Sequence, residues 1–251
     1  MMTEGPLIEV RGLTIKRDET VIQAGLNFTV GRGQIFAIMG ETGAGKSRLI
    51  RHMVGLEPPA EGDVYYEGDG FWSGPFEARD RLMRRFGVLF EGGALFSTKT
   101  LIENVAVVLR LHTALNRDDV MAVARLKLAL MGLPGYENHY PSEVDESRRT
   151  WAGFARATAL DPEILFLDEP AARLDPLGAR RVDEIIRWFR DDLGATVVLV
   201  SNDHETLFSL ADEAIFLDSE TNTMTARGNP SYLRDHSTDP KVRAFLGGGR
   251  V

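Results

Sequence analysis

The chain has 251 residues, 43% of them hydrophobic and 26% charged, with a net charge of −8 and no cysteine. That composition describes a folded α/β core with room for a smaller subdomain; it excludes disulfides and thiolate metal sites, and it argues against a general nucleic-acid binder, which carries a basic excess. The longest apolar stretches, such as Gly194 to Val200, are strand-sized, well short of the roughly 18 to 20 residues that cross a bilayer.

The start, Met-Met-Thr-Glu-Gly-Pro, has neither the basic region nor the apolar run of an export signal, so export is not expected. Leu7 to Val10, Leu26 to Val30 and Gln34 to Met39 read as strands, separated by turn-rich segments around Asp18 and Gly31. Lys46 to Val54 then reads as a helix, Val64 to Tyr66 and Phe86 to Phe90 as short strands, and Leu101 to Arg110 and Asp118 to Met131 as helices. After Pro141 the pattern alternates: helix from Ser147 to Leu160, strand from Ile164 to Leu167, helix from Ala179 to Asp192, strand from Thr196 to Val200, helix from His204 to Leu210, strand from Ala214 to Leu217. Such alternation predicts a parallel sheet covered by helices. The tail from Asp239 to Leu246 is expected to add a short final helix.

Gly40-Glu41-Thr42-Gly43-Ala44-Gly45-Lys46-Ser47 fits GxxxxGK[ST] between a strand-like and a helix-like run, the context in which that motif cradles phosphate. Glycines let backbone amides curl around the phosphates, Lys46 reaches the β and γ oxygens, and the Ser47 hydroxyl is a ligand for Mg²⁺. The alternative is a glycine-rich turn with no ligand. A second element opposes it: the apolar strand Ile164-Leu165-Phe166-Leu167 ends in Asp168-Glu169-Pro170. Asp168 is placed to serve the Mg²⁺ shell and Glu169 to polarise a water against the γ-phosphate.

With these motifs, followed by Leu174-Asp175-Pro176 as a D-loop, the chain resembles the ATPases of ABC transporters over nearly its whole length. Within that family it is most similar to the ATPases of Mla/Mce-type lipid transporters. Leu89-Phe90, Gly93-Ala94-Leu95-Phe96, Glu103-Asn104-Val105-Ala106, Leu109-Arg110-Leu111-His112-Thr113 and the tail Asp239 to Leu246 carry that likeness. The resemblance implies a single P-loop NTPase domain over residues 1–251. It would hold a RecA-like α/β core at 1–90 and 160–251, an N-terminal antiparallel β subdomain, and a helical subdomain at about 91–159. It also implies ATP and Mg²⁺ as ligands, a membrane permease of the Mla/Mce type and a second ATP-binding chain as partners, lipid as cargo, and a peripheral position on the cytoplasmic face of the membrane. Read without the resemblance, Ala94 to Phe96 is simple core packing.

Several positions depart from the family pattern. Where a Leu-Ser-Gly-Gly signature should follow Pro141-Ser142-Glu143, the chain reads Val144-Asp145-Glu146-Ser147-Arg148. Two carboxylates thus stand where hydroxyl and amide donors should meet the γ-phosphate of a partner subunit, and like charges a few ångströms apart repel by about 1 to 4 kcal/mol. Arg148 and Arg149, turned toward the phosphate, would offset part of this. The switch histidine is replaced by Asn202 in Ser201-Asn202-Asp203, an amide that donates a hydrogen bond but cannot carry charge or relay a proton. His204 is a poor stand-in because it begins the next helix. Glu91 replaces the Q-loop glutamine and remains a good Mg²⁺ ligand, and Arg17 takes the place of the adenine-stacking aromatic, with a guanidinium plane that can stack on the base. The expectation is preserved ATP binding with impaired turnover: a slow transport ATPase or, as a second reading, a nucleotide-dependent regulatory or structural subunit. A P-loop kinase of small metabolites leaves the signature register and the D-loop unexplained.

Overall fold

The computed structural model describes residues 5–247. Its elements, in chain order, begin with strands β1 (Ile8–Arg17), β2 (Thr20–Val30) and β3 (Ile35–Gly40), helix α1 (Lys46–Met53), strands β4 (Glu61–Tyr66) and β5 (Asp69–Gly70), and helix α2 (Phe76–Met83). Strand β6 (Phe86–Leu89), helices α3 (Leu101–His112), α4 (Arg117–Leu130) and α5 (Glu146–Ala157), strand β7 (Ile164–Asp168) and helix α6 (Pro176–Asp191) follow. Strand β8 (Thr196–Val200), helix α7 (His204–Leu210), strands β9 (Glu213–Asp218) and β10 (Thr223–Gly228), and helices α8 (Pro230–His236) and α9 (Pro240–Leu246) complete the order. The chain divides into two compact units: the described residues of Met1–Met83 with Arg187–Val251, and Arg84–Ile186.

In the first unit, β2-β1-β4-β5 form an antiparallel sheet, and β10-β9-β3-β8 run side by side with β3 parallel to both β8 and β9. Every residue of β3 and β8 is buried, as expected for parallel strands covered on both faces, which read as unbroken apolar runs. Phe28 of β2 stacks on Phe36 of β3 at 5.3 Å, joining the two sheets through their cores. Ala37, Met39, Leu207, Phe216, Leu233, Val242 and Leu246 make a second apolar cluster from β3, β9 and the three terminal helices.

In the second unit, β6 lies parallel to β7, and helices α3, α4 and α5 make up most of the remainder. Asn104, fully buried on α3, accepts from the Phe96 amide at 2.7 Å and donates to the carbonyls of Phe96, Lys99 and Thr100. That hub fixes the loop before α3 by bonding its backbone groups, the Phe96 amide and the Lys99 carbonyl among them.

Most expected elements form, with informative differences. β1 runs to Arg17 rather than stopping at Val10, because register shifts between Val10 and Lys16 break the alternation that marks a strand. β2 likewise begins at Thr20, ahead of its apolar end. α6 starts at Pro176 instead of Ala179: proline suits the first helical turn, and the Asp175 carboxylate accepts from the Gly178 amide at 2.7 Å. Neither α2 nor β10 was expected. α2 buries no residue and so shows no apolar face; Arg79 instead lies over the Trp72 ring at 4.9 Å and the Phe76 ring at 5.5 Å. Ala94 to Phe96 is not core packing, since Ala94 is exposed and Phe96 is 51% exposed.

Candidate functional site

The loop from Gly40 to Ser47 leaves the buried end of β3 and feeds α1. Gly40 sits at φ 147°, and a Cβ there would stand 2.3 Å from the Leu217 carbonyl oxygen, so a side chain at this position would force the loop off β9. Lys46 is buried, with its ammonium donating to the Gly40 carbonyl at 2.5 Å and the Glu41 carbonyl at 3.0 Å. The cation is thus held inside the loop at the start of a helix, and its bonds to neutral carbonyls are weaker than those it would make to phosphate oxygens. Thr42, Gly43 and Ser47 are exposed, and Ala44 is buried.

Two braces hold this loop, and sequence reading did not identify either. The fully buried Gln23 amide donates to the carbonyls of Ala44 and Asp218 at 3.0 Å each, and the Ser219 hydroxyl donates to Glu41 at 2.6 Å. Asp218 is in turn gripped by Lys241 of α9 at 2.9 Å. Burial alone would raise the Asp218 carboxyl, but the Lys241 ammonium, the Glu220 amide and the Thr221 hydroxyl outweigh it and hold the pKa at about 2. Arg17 lies at the exposed end of the β1–β2 hairpin. The neighbouring Lys16 carbonyl accepts from Arg48 of α1 at 3.1 Å, which ties that hairpin end to the first turn after Lys46.

Also in the first unit, Asn202 is exposed two residues past the end of β8, and Asp203 caps α7 through the Thr206 amide at 2.8 Å. His204 opens α7 and is turned to the apolar side of α9. Its ring packs edge-on against Phe245 of α9 at 5.5 Å.

In the second unit, the buried Asp168 ends β7 and Glu169 follows at φ 47°, a left-handed conformation that a non-glycine residue adopts at a cost of about 1 to 3 kcal/mol. Glu91 opens a short 3-10 turn, Glu91–Gly93, that lies on α5. The contact is close enough that a Cβ on Gly153 of α5 would stand 2.6 Å from the Gly93 Cα. Arg156, half-buried on α5, donates to the carbonyls of Gly93 and Ala94 at 2.9 and 2.8 Å, and burial pushes its guanidinium below the ordinary arginine value.

The replaced signature segment is engaged within the chain rather than open. Asp145 is the N-cap of α5, its carboxylate accepting from the Arg148 amide at 2.8 Å and pairing with the Arg148 guanidinium. Arg148 also lies over the Tyr136 ring at 4.5 Å, and Arg149 donates to the carbonyls of Pro141 and Val144 at 3.3 Å. Neither arginine turns outward as an offset for a phosphate; both hold the loop. Glu146 and Glu91 share Arg173, whose Nη1 donates to Glu146 Oε1 at 2.9 Å and whose Nη2 and Nε donate to Glu91 Oε1 at 2.9 and 3.2 Å. The hydrogen bond to Glu91 and then the charge of Glu146 raise the Arg173 guanidinium above its ordinary value. Arg173 was missed in the sequence. The signal that could have found it is a lone cation between the Asp168-Glu169 pair and the D-loop in a region of unmatched carboxylates.

A glycine-rich loop after a buried parallel strand, with a captive lysine at the following helix, defines a P-loop nucleotide-binding protein of the α/β class. The family model described as "ABC transporter" matches residues 24–172. The chain is 34% identical over 242 residues to the intermembrane phospholipid transport system ATP-binding protein MlaF of Haemophilus influenzae, covering 96% of this chain and 90% of the relative. It is 32% identical to mkl of Mycobacterium tuberculosis, an ATP-binding protein named for ribonucleotide transport, over 98% of this chain and 68% of that one. Among solved structures, the ATP-binding cassette MJ0796, described as dimeric and bound to ADP and Pi, shares the fold with a TM-score of 0.81 at 23% identity over 88% of this chain and 98% of that chain. The chain belongs to the ABC transporter family, as an ATP-binding subunit. Among its described residues no helix is long and apolar enough to cross a membrane.

Proposed function

We propose that this chain binds ATP with Mg²⁺ and drives, slowly, a permease of the Mla/Mce type that moves phospholipid, docked peripherally on the cytoplasmic face of the membrane beside a second ATP-binding chain. The observation that carries the nucleotide part is the Gly40–Ser47 loop with the Lys46 ammonium captive inside it. The likeness to MlaF over 96% of the chain supports the cargo and the permease; mkl makes ribonucleotides the competing cargo. The hydroxyl of Ser47 and the carboxylates of Asp168 and Glu91 are the residues that would hold Mg²⁺, a hard-oxygen donor set suited to that ion. Bound there, Mg²⁺ supplies positive charge to the phosphate oxygens.

Slow turnover rests on two features. Asn202 is an exposed neutral amide with no charge to give. One of the first-turn amides of α5, that of Arg148, serves the chain's own Asp145, whose negative charge also stands at the helix start and repels a γ-phosphate brought there across a dimer. That second feature also favours the other reading, a subunit that closes on ATP and barely hydrolyses it. Movement of labelled phospholipid between vesicles by the chain assembled with its permease tests the proposal. ATP-dependent transfer that is absent with Lys46→Ala supports it, and transfer of ribonucleotide but not lipid would overturn the cargo.

A further inference from the structure

Three carboxylates, Glu91, Asp145 and Glu146, meet three guanidiniums, Arg148, Arg149 and Arg173, in the second unit. The pairing is not uniform. Asp145 and Arg148 satisfy each other three residues apart on α5, and Arg149 is committed to backbone carbonyls and stands 3.7 Å from Glu146. Arg173 alone of the three reaches across segments, to Glu91, 82 positions away in sequence, and to Glu146, 27 away. It also lies over the 3-10 turn, with its Nε 3.8 Å from where a Gly92 Cβ would be. Both of its bonds to Glu91 use Oε1, leaving Oε2 without a hydrogen bond among the described residues.

Only a planar fork does this, since one ammonium is a point charge that cannot serve two carboxylates on divergent lines equally well. Removing the fork would leave Glu91 and Glu146 with no cation bridging them, Arg149 standing 3.7 Å from Glu146 alone, and each is itself about half exposed, so their repulsion would be relieved by moving the turn away from α5.

We propose that Arg173 is a positioning residue for Glu91 as a Mg²⁺ ligand: its guanidinium fixes the Glu91 turn to the first turn of α5 through Glu146, leaves the second Glu91 oxygen open, and makes the three residues one unit that cannot be exchanged singly. The inference rests on the ATP-binding reading. Glu91→Gln alone, which restores the family's residue, leaves Arg173 with one carboxylate, and Arg173→Met alone leaves two carboxylates with no cation between them. Arg173→Met together with Glu91→Gln and Glu146→Gln removes all the charges at once.

The test uses the full chain and reads the Mg²⁺ concentration that half-saturates ATP binding, with Lys46→Ala as the blank. Arg173→Met should raise that concentration about fivefold while affinity for ATP without Mg²⁺ stays within about twofold. Arg173→Lys should recover part of the loss, and Arg173→Met should cost nothing further in the Glu91→Gln background. Hydrogen exchange of the amides at 91–94 gives a second readout that needs no nucleotide: it should quicken in Arg173→Met and return in the triple variant. Additive effects of Arg173→Met and Glu91→Gln, or unchanged exchange at 91–94, would overturn the inference. Equal ATP affinity in wild type and Lys46→Ala would instead overturn the ATP-binding reading and leave the exchange experiment to decide the role of Arg173.

Discussion

The molecule contains two loop-to-helix junctions of similar shape and opposite chemistry. At the first, Gly40 to Ser47 runs into α1 with no acidic residue in the helix's first turn, Gly45 in the left-handed conformation at the cap, and a captive lysine. At the second, Val144 leads into α5 with Asp145 at the cap and Glu146 in the first turn. Both helix starts carry the same partial positive charge, but the first has no side-chain cap while the second has its own carboxylate on the Arg148 amide. A carboxylate cap takes up part of a helix N-terminus and adds negative charge there, so the uncapped start is the better anion site.

That contrast orders what substitutions should do. Lys46→Ala removes the one cation of the cradle and should weaken ATP binding on the order of a hundredfold, about 2.7 kcal/mol; equilibrium titration with a fluorescent ATP analogue reads this directly, and unchanged affinity would erase the distinction between the junctions. Asp145→Ala should act on the other junction in the opposite currency. Loss of the α5 cap costs about 1 kcal/mol in denaturant melts, with ATP affinity of the isolated chain untouched; a melt identical to wild type would mean that Asp145 does not cap α5 in solution.

The smallest effect concerns the cradle's outer support. The Asp218 carboxyl is held below its ordinary value, so its contribution to stability is complete above about pH 4 and is lost as pH falls toward about 2. Lys241→Met should therefore destabilise the chain at neutral pH and match wild type near pH 2, as followed by circular dichroism across an acid titration. A constant difference between the two proteins at every pH would contradict this linkage.

How much of this was legible in the sequence follows from how far apart the partners lie. The strands β3 and β8 are unbroken apolar runs, and the cradle is a contiguous spacing that local reading recovers. α2 has no apolar face and β1 is interrupted by register shifts, so period alone finds neither at its true extent. The carboxylates at 91, 145 and 146 stand out as departures, Asp145 and Glu146 reading as repulsive and Glu91 as a metal ligand. Their compensation could not be read, because Arg173 reaches them from distant positions, Asp145 turns back onto its own helix, and Gln23 and Ser219 brace the cradle from other strands and turns. Positions whose function depends on local order were visible, whereas those that depend on tertiary charge pairing were not.

The central claim is retained binding with depressed turnover. Steady-state ATP hydrolysis by the chain assembled with its permease, compared with Lys46→Ala and Glu169→Gln under saturating ATP and Mg²⁺, tests it most directly. The account predicts a wild-type rate above the Lys46→Ala blank that Glu169→Gln removes, and that rises when Asn202→His is combined with a glycine-rich segment at 144–148. A fast wild-type rate that neither change increases would contradict it.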